Sequence, residues 1–138
     1  FESIPVRVLA QPTWPTTGRL AFPDSVAAQV EFADGSCGQL IYTAEGDSSF
    51  PKESLTVFGA GLVAELINFQ ELRIHRGRKQ KCHHYASKGH AEEMAAWLNF
   101  LLGRSEHPLP YEQARQSMRL TFAVLDSIQQ ARAVEVGI

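Results

Sequence analysis

From Ser25 to Phe69 apolar and polar positions alternate in short runs separated by turn residues. Val26, Ala28, Val30 and Phe32 fall on one side of a period-two pattern, with Ala27, Gln29 and Glu31 on the other. Asp34-Gly35 separates this run from Gly38–Tyr42, and Asp-Gly between two alternating runs predicts a hairpin. Leu55–Phe58 reads as a third strand, Gly59-Ala60-Gly61 as a turn, and Leu62–Phe69 as a fourth strand. Connections this short join antiparallel strands, because parallel ones need a long crossover. The expectation is an antiparallel meander, extended by Leu72–His75 and, past a turn at Arg76-Gly77-Arg78, by Lys79–Tyr85. Upstream, Pro5–Ala10 alternates as a strand with Val6 and Val8 on one face. Gln11 to Pro23 holds Pro12, Pro15, Gly18 and Pro23 and reads as a long loop.

The period then changes. From His90 to Leu102 the residues Met94, Trp97, Leu98 and Leu101 recur three and four apart, which predicts a helix with one apolar face. Glu92 and Glu93 suit the positive end of its dipole, and Gly103 supplies a left-handed stop. A longer helix is predicted from Tyr111 to Ala131, preceded by Pro110. Its buried stripe is expected at Ala114, Met118, Thr121, Phe122, Leu125 and Ile128, or Gln129 if the face drifts. Met94, Trp97, Leu98, Met118 and Phe122 read as core. Val134-Glu135-Val136 returns as a last short strand. Strands followed by two helices make an α+β protein, a mostly antiparallel open-faced sheet with two helices packed on one face.

With 138 residues the chain is expected to form a single domain over 1–138. A net charge of −2 gives no global attraction to nucleic acid or anionic membrane, so neither is expected as a partner. No apolar run approaches the roughly 18 residues of a membrane span. Two cysteines, Cys37 and Cys82, are too few for a disulfide scaffold and read as free thiols in a reducing, cytoplasmic compartment. The chain begins Phe1-Glu2-Ser3, and its methionines are Met94 and Met118, which reads as part of something larger.

Three motifs invite chemistry. Gly59-Ala60-Gly61-Leu62-Val63-Ala64 matches the dinucleotide pattern G-x-G-x-x-A. That fingerprint needs an acidic residue about 20 positions on to hold the ribose, where this chain has Arg78-Lys79-Gln80-Lys81; a plain turn is the favoured reading. Cys82-His83-His84, with His75 and His90, raises the question of a metal. In a strand Cys82 and His84 share a face while His83 points away, and a two-residue turn at Gly77-Arg78 pairs His75 near Gln80. Two converging ligands fall short of the three or four of a zinc site, so no metal is expected. Arg73, Arg76, Arg78, Lys79 and Lys81 form either a solvated edge that discourages aggregation or a phosphate contact. No aromatic residues interleave the charges for base stacking, which favours the edge.

The hairpin Phe32-Ala33-Asp34-Gly35-Ser36, the loop Gly46-Asp47-Ser48-Ser49-Phe50-Pro51-Lys52-Glu53, the strand-turn Leu55–Gly61, the helix opening Lys88-Gly89-His90-Ala91-Glu92-Glu93 and the closing helices with Val134-Glu135-Val136 carry a resemblance. In that order and spacing they resemble the C-terminal domain of the Gfo/Idh/MocA family, which includes glucose–fructose oxidoreductase and inositol dehydrogenase. Such proteins are NAD(P)-dependent oxidoreductases of sugars, polyols or nucleotide-sugars. They pair an N-terminal Rossmann domain, which holds the catalytic lysine, with a sheet domain that shapes the substrate site and builds oligomers. The family's acidic and histidine site residues lie on a helix before the first sheet strand. The resemblance therefore implies no catalytic and no cofactor-binding residue in these 138 positions, and NAD or NADP in the longer enzyme. It also implies the enzyme's own Rossmann domain as a partner, and a homo-oligomer formed through the sheet.

In the inositol dehydrogenase branch the loop before the strand resembling Leu55–Phe58 carries an aromatic residue at the substrate. Phe50 is the nearest equivalent and lacks a hydroxyl. Asp47, Ser49, Phe50 and Lys52 are accordingly candidate substrate contacts, against the plainer reading of a connecting loop. Lys88 and His90 join them because two cations oppose the helix dipole at an end that favours anions. The function expected is the substrate-binding and oligomerisation domain of a sugar, polyol or nucleotide-sugar dehydrogenase. The alternative is a stand-alone, non-catalytic α+β interaction module.

Overall fold

The computed structural model describes residues 3–13 and 24–137, so most of the loop expected over residues 11–23 lies outside the described residues. Eight strands and two helices run in the order β1 (Pro5–Pro12), β2 (Val26–Phe32), β3 (Cys37–Tyr42), β4 (Ser54–Gly59), β5 (Leu62–Ile67), β6 (Glu71–Arg76), β7 (Lys79–His84), α1 (His90–Leu101), α2 (Tyr111–Gln130) and β8 (Val134–Glu135). The fold is α+β with antiparallel pairing throughout. The run of strands read as one meander is divided into two four-stranded sheets, ordered β3-β2-β1-β8 and β4-β5-β6-β7. The chain correspondingly forms two compact units, residues 1–46 with 109–138, and residues 47–108. The physical reason is the polar segment between Tyr42 and Ser54, which continues no ladder after β3.

In the first unit Val8 and Ala10 of β1, Val26, Ala28 and Val30 of β2, Ala123 of α2, and Val134 and Val136 form the core. β1 runs two residues beyond its expected end and includes Pro12, paired with Val26. A proline fits there because the neighbouring Thr13 N–H donates to Ser25 O. Amides alternate in direction along a strand, so position 12 faces away from β2 and owes the ladder no donor.

The α2 stripe differs from its expected position. Met118, Thr121 and Phe122 are exposed, whereas Ala123 and Ser127 are buried and Leu120, Val124 and Ile128 pack against the core. The helix is turned by about one residue, some 100°, because small side chains at 123 and 127 let it approach β1 closely. A reading weighted toward large apolar groups selects the adjacent face. Ser127 then completes the sheet: its hydroxyl accepts Ala10 N–H at 2.8 Å and donates to Arg132 O at 2.7 Å. Extending the β1–β8 register, Arg7 with Glu135 and Val8 with Val134, would set Ala10 opposite residue 132. The hydroxyl thus bridges the two strands where β8 has not yet begun.

In the second unit three short turns join β4 to β7, with two residues at Ala60-Gly61 and at Gly77-Arg78 and three at Asn68–Gln70, where Ile67 pairs with Glu71. Each has two successive residues at positive φ: Ala60 and Gly61 at 48° and 72°, Asn68 and Phe69 at 52° and 57°, Gly77 and Arg78 at 56° and 64°. In the two two-residue turns this is the twist-matched hairpin geometry. α1 ends as expected, with Gly103 at φ 68° donating to Phe100 O and Arg104 N–H reaching Asn99 O, a Schellman closure. Met94 and Leu98 of α1 are exposed rather than core, and Trp97 is half-buried, edge-on to Phe100 and His107. Among the described residues every buried apolar side chain belongs to the first unit.

Hydrogen bonds hold five carboxyls below their ordinary range: Glu31 by Arg7, Asp34 by Ser36, Asp47 by Ser49, Glu71 by Arg73 and Glu112 by Arg115. A depressed folded pKa contributes stability that is present above the unfolded carboxylate pKa and lost as pH falls through the depressed value. Thermal unfolding across pH should therefore show a midpoint that is level near neutrality and declines below about pH 4.5. Glu31→Gln should lessen that decline, and an unchanged acid profile in this variant would remove the Arg7 pair as a cause.

Candidate functional site

The registers of the second sheet fix what lies at each end. Ser54, Ile67, Glu71 and His84 form one row across β4 to β7; Thr56, Glu65, Arg73 and Cys82 form the next on the same face. Beyond the first row lie the loop before β4, the Asn68-Phe69 turn and the segment from Tyr85 into α1. Asn68 N–H donates to Glu53 O and Tyr85 N–H to Gln70 O, which tie these connections to the sheet end.

The loop is ordered by its own polar groups. The Asp47 carboxylate accepts Ser49 N–H at 2.8 Å, and Asp47 O accepts Phe50 N–H at 3.0 Å. Those bonds to Ser49 lower the Asp47 pKa, so it is an anion at neutral pH. Phe50 stands out at 74% exposed, followed by Pro51 and an exposed Lys52. Pro51 fixes its own φ and restricts Phe50 to extended backbone. At the helix opening Lys88 Nζ reaches Glu53 Oε2 at 2.8 Å. Lys88 thus spends its charge on the loop beside Lys52, a pairing that no local sequence pattern announces. Ser87 Oγ donates to the Glu92 carboxylate and accepts Gly89 N–H, while His90 opens α1 exposed. The structure therefore brings Lys88 to Glu53, the residue that follows Lys52, and ties the helix opening to the end of this loop.

The opposite end of this sheet holds the glycine motif. Gly59, Ala60 and Gly61 make the β4–β5 hairpin and lead into strand β5, so no helix N-terminus follows them as a dinucleotide cradle requires. With the Gly77-Arg78 turn they line an open groove of about 690 Å³ with Arg76 and Lys79. β7 is one of the two outer strands, and its Lys79 and Lys81 are exposed, as suits a guarded edge. His75 pairs with Gln80 in the register expected and bonds Glu65 at 3.0 Å. On the outer half of this face the Cys82 thiol meets Glu71 Oε1 at 3.5 Å and His84 Nε2 at 3.4 Å. Desolvation by neighbouring groups, then the bond to Glu71, pushes the thiol pKa up. Glu71 lies 11 positions before Cys82 in the chain and converges on it only through the β6–β7 pairing, so sequence spacing does not reveal it.

No protein-family model matches the chain, and no curated protein matches it by sequence. Its fold does match solved structures. A UDP-N-acetylglucosamine 3-dehydrogenase from Acidithiobacillus ferrooxidans superposes with a TM-score of 0.80 at 15% identity, over 93% of this chain and 41% of that one. An NAD binding oxidoreductase from Klebsiella pneumoniae gives 0.79 at 17% identity, over 97% of this chain and 46% of the other. An aldose–aldose oxidoreductase from Caulobacter crescentus, crystallised with glycerol, gives 0.73 at 17%, over 96% and 42%. This chain shares their fold. It spans less than half the length of each. Among the described residues no helix is long and apolar enough to cross a membrane.

Proposed function

We propose that the chain is the C-terminal substrate-binding and oligomerisation domain of a Gfo/Idh/MocA-type NAD(P)-dependent oxidoreductase acting on a sugar, polyol or nucleotide-sugar. The observation that carries this reading is the near-complete superposition on oxidoreductases more than twice as long, named for sugar or nucleotide-sugar substrates in two cases. The hairpin at Gly59–Gly61 supports this reading: the turn leads into a strand and not into a helix N-terminus, which fits a dinucleotide held by a Rossmann domain. The hydride chemistry is the cofactor's, and this domain contributes position and polar contacts. Asp47, Ser49, Phe50 and Lys52 face the substrate, with Lys88 and His90 at the same end of the sheet. Subunits associate through sheet surface such as β3, where Leu40, Ile41 and Tyr42 are all exposed.

Reading the coding sequence upstream of Phe1 tests the assignment directly. A strand-linked G-x-G-x-x-G followed by a lysine is expected, and a start codon at Phe1 would favour the stand-alone interaction module instead. The 138-residue chain by itself should bind neither NAD nor NADP in a calorimetric titration and should scatter light as a dimer at tens of micromolar. Micromolar dinucleotide binding overturns the division of labour, and a monomer overturns the oligomerisation role.

A further inference from the structure

We propose that Glu71, Cys82 and His84 form a binding site for a divalent ion of the zinc class on the paired strands β6 and β7 of the second sheet. Their ligand atoms, one carboxylate oxygen, one sulfur and one ring nitrogen, all lie within 4.8 Å of one another. A tetrahedral zinc with bonds of about 2.3 Å to sulfur and about 2.0–2.1 Å to nitrogen or oxygen places sulfur about 3.5–3.6 Å from its neighbours. The observed separations, 3.4 Å to His84 Nε2 and 3.5 Å to Glu71 Oε1, match that spacing.

The scaffold that sets these distances is rigid. Glu71 and His84 are direct cross-strand partners, and Cys82 precedes His84 by two residues on the same face. All three ligands thus stand on hydrogen-bonded strands, with little ordering left to do when an ion arrives. Cys82 and His84 are exposed, so an ion has a path from solvent and a solvent molecule can take the fourth position. Glu71 Oε1 accepts both Arg73 Nε–H and the Cys82 thiol. An ion entering between sulfur and oxygen takes the place of the thiol hydrogen, which leaves to solvent as a proton, while Arg73 keeps the carboxylate oriented.

The donor set selects the metal. Magnesium and calcium want oxygen ligands throughout, and only one of these three is oxygen. A thiolate with an imidazole and a carboxylate suits zinc, and cobalt(II) serves as its spectroscopic substitute. Across the sheet the site lies two to three strand spacings, about 10–14 Å, from Ser54 at the end of the candidate substrate loop. An ion here clips edge strand β7 to β6.

The test is a titration of the reduced, chelator-treated chain with cobalt(II), followed by displacement with zinc. The expected result is one cobalt per chain with a sulfur-to-cobalt charge-transfer absorption in the near ultraviolet, erased by one equivalent of zinc. Cys82→Ser should abolish that absorption, whereas Cys37→Ser, at the other exposed thiol, should leave it intact. Glu71→Gln and His84→Ala should each weaken binding about tenfold or more. Absence of the charge-transfer band overturns the proposal. So does a band that survives Cys82→Ser, or one indifferent to both Glu71→Gln and His84→Ala, which would mark adventitious thiol binding only.

Discussion

Lys52→Ala in the longer oxidoreductase we propose should lower kcat/KM ten- to a hundredfold while leaving dinucleotide affinity nearly unchanged. The lysine is exposed on a loop held by the Asp47–Ser49 bond and by Pro51, and among the described residues it makes no ion pair. Its neighbour Glu53 is the one that engages Lys88. A flexible ammonium with three donors is therefore left for a hydroxyl, carboxylate or phosphate of the substrate. Losing one charge-assisted hydrogen bond costs about 1.5–3 kcal/mol, which sets the expected fold-change. A solvated lysine with no such role would shift the rate by no more than about 0.5 kcal/mol. Steady-state kinetics beside a dinucleotide titration separates these outcomes. Unchanged kcat/KM sinks the loop assignment, and a loss confined to dinucleotide affinity places the loop on the cofactor's side.

Ser127→Ala should be the most destabilising conservative change in the first unit. The serine is fully buried, and its hydroxyl is at once acceptor for Ala10 N–H and donor to Arg132 O. Alanine keeps the close packing of α2 on β1 but leaves the buried Ala10 N–H without its partner, whereas Arg132 O, on an exposed residue, can turn to water. An unsatisfied buried group costs about 1–3 kcal/mol, so a loss in that range, or a fall in Tm on the order of 5–10 °C, is expected. Ser117→Ala is the control: Ser117 lies on the same helix, exposed, with its hydroxyl returned to Gln113 O. It should change stability by no more than about 0.5 kcal/mol. Equal melting curves for the two variants would show that the bridge contributes nothing.

Taken by itself, the sequence determined the local elements. Period-two runs placed β1 to β7, the Asp34-Gly35 and Gly77-Arg78 signals placed their turns, and helical spacing with Pro110 and Gly103 bounded α1 and α2. These features are set by neighbours within a few residues, through backbone sterics and side-chain alternation, and so they are written locally. The glycine motif at 59–64 was likewise legible as a turn, because the acidic partner of a dinucleotide site was missing from the same stretch.

Only the tertiary structure decided which residues meet. It split one apparent meander into two sheets, since pairing across the Gly46–Glu53 segment depends on long-range partners and not on alternation. It also turned α2 onto Ala123 and Ser127, because close approach rewards small side chains that hydrophobicity ranks below Met118 and Phe122. Lys88 joined Glu53 across 35 positions, and Glu71 joined Cys82 and His84 across a hairpin. Such convergence follows from strand register, and register is fixed by how faces pack.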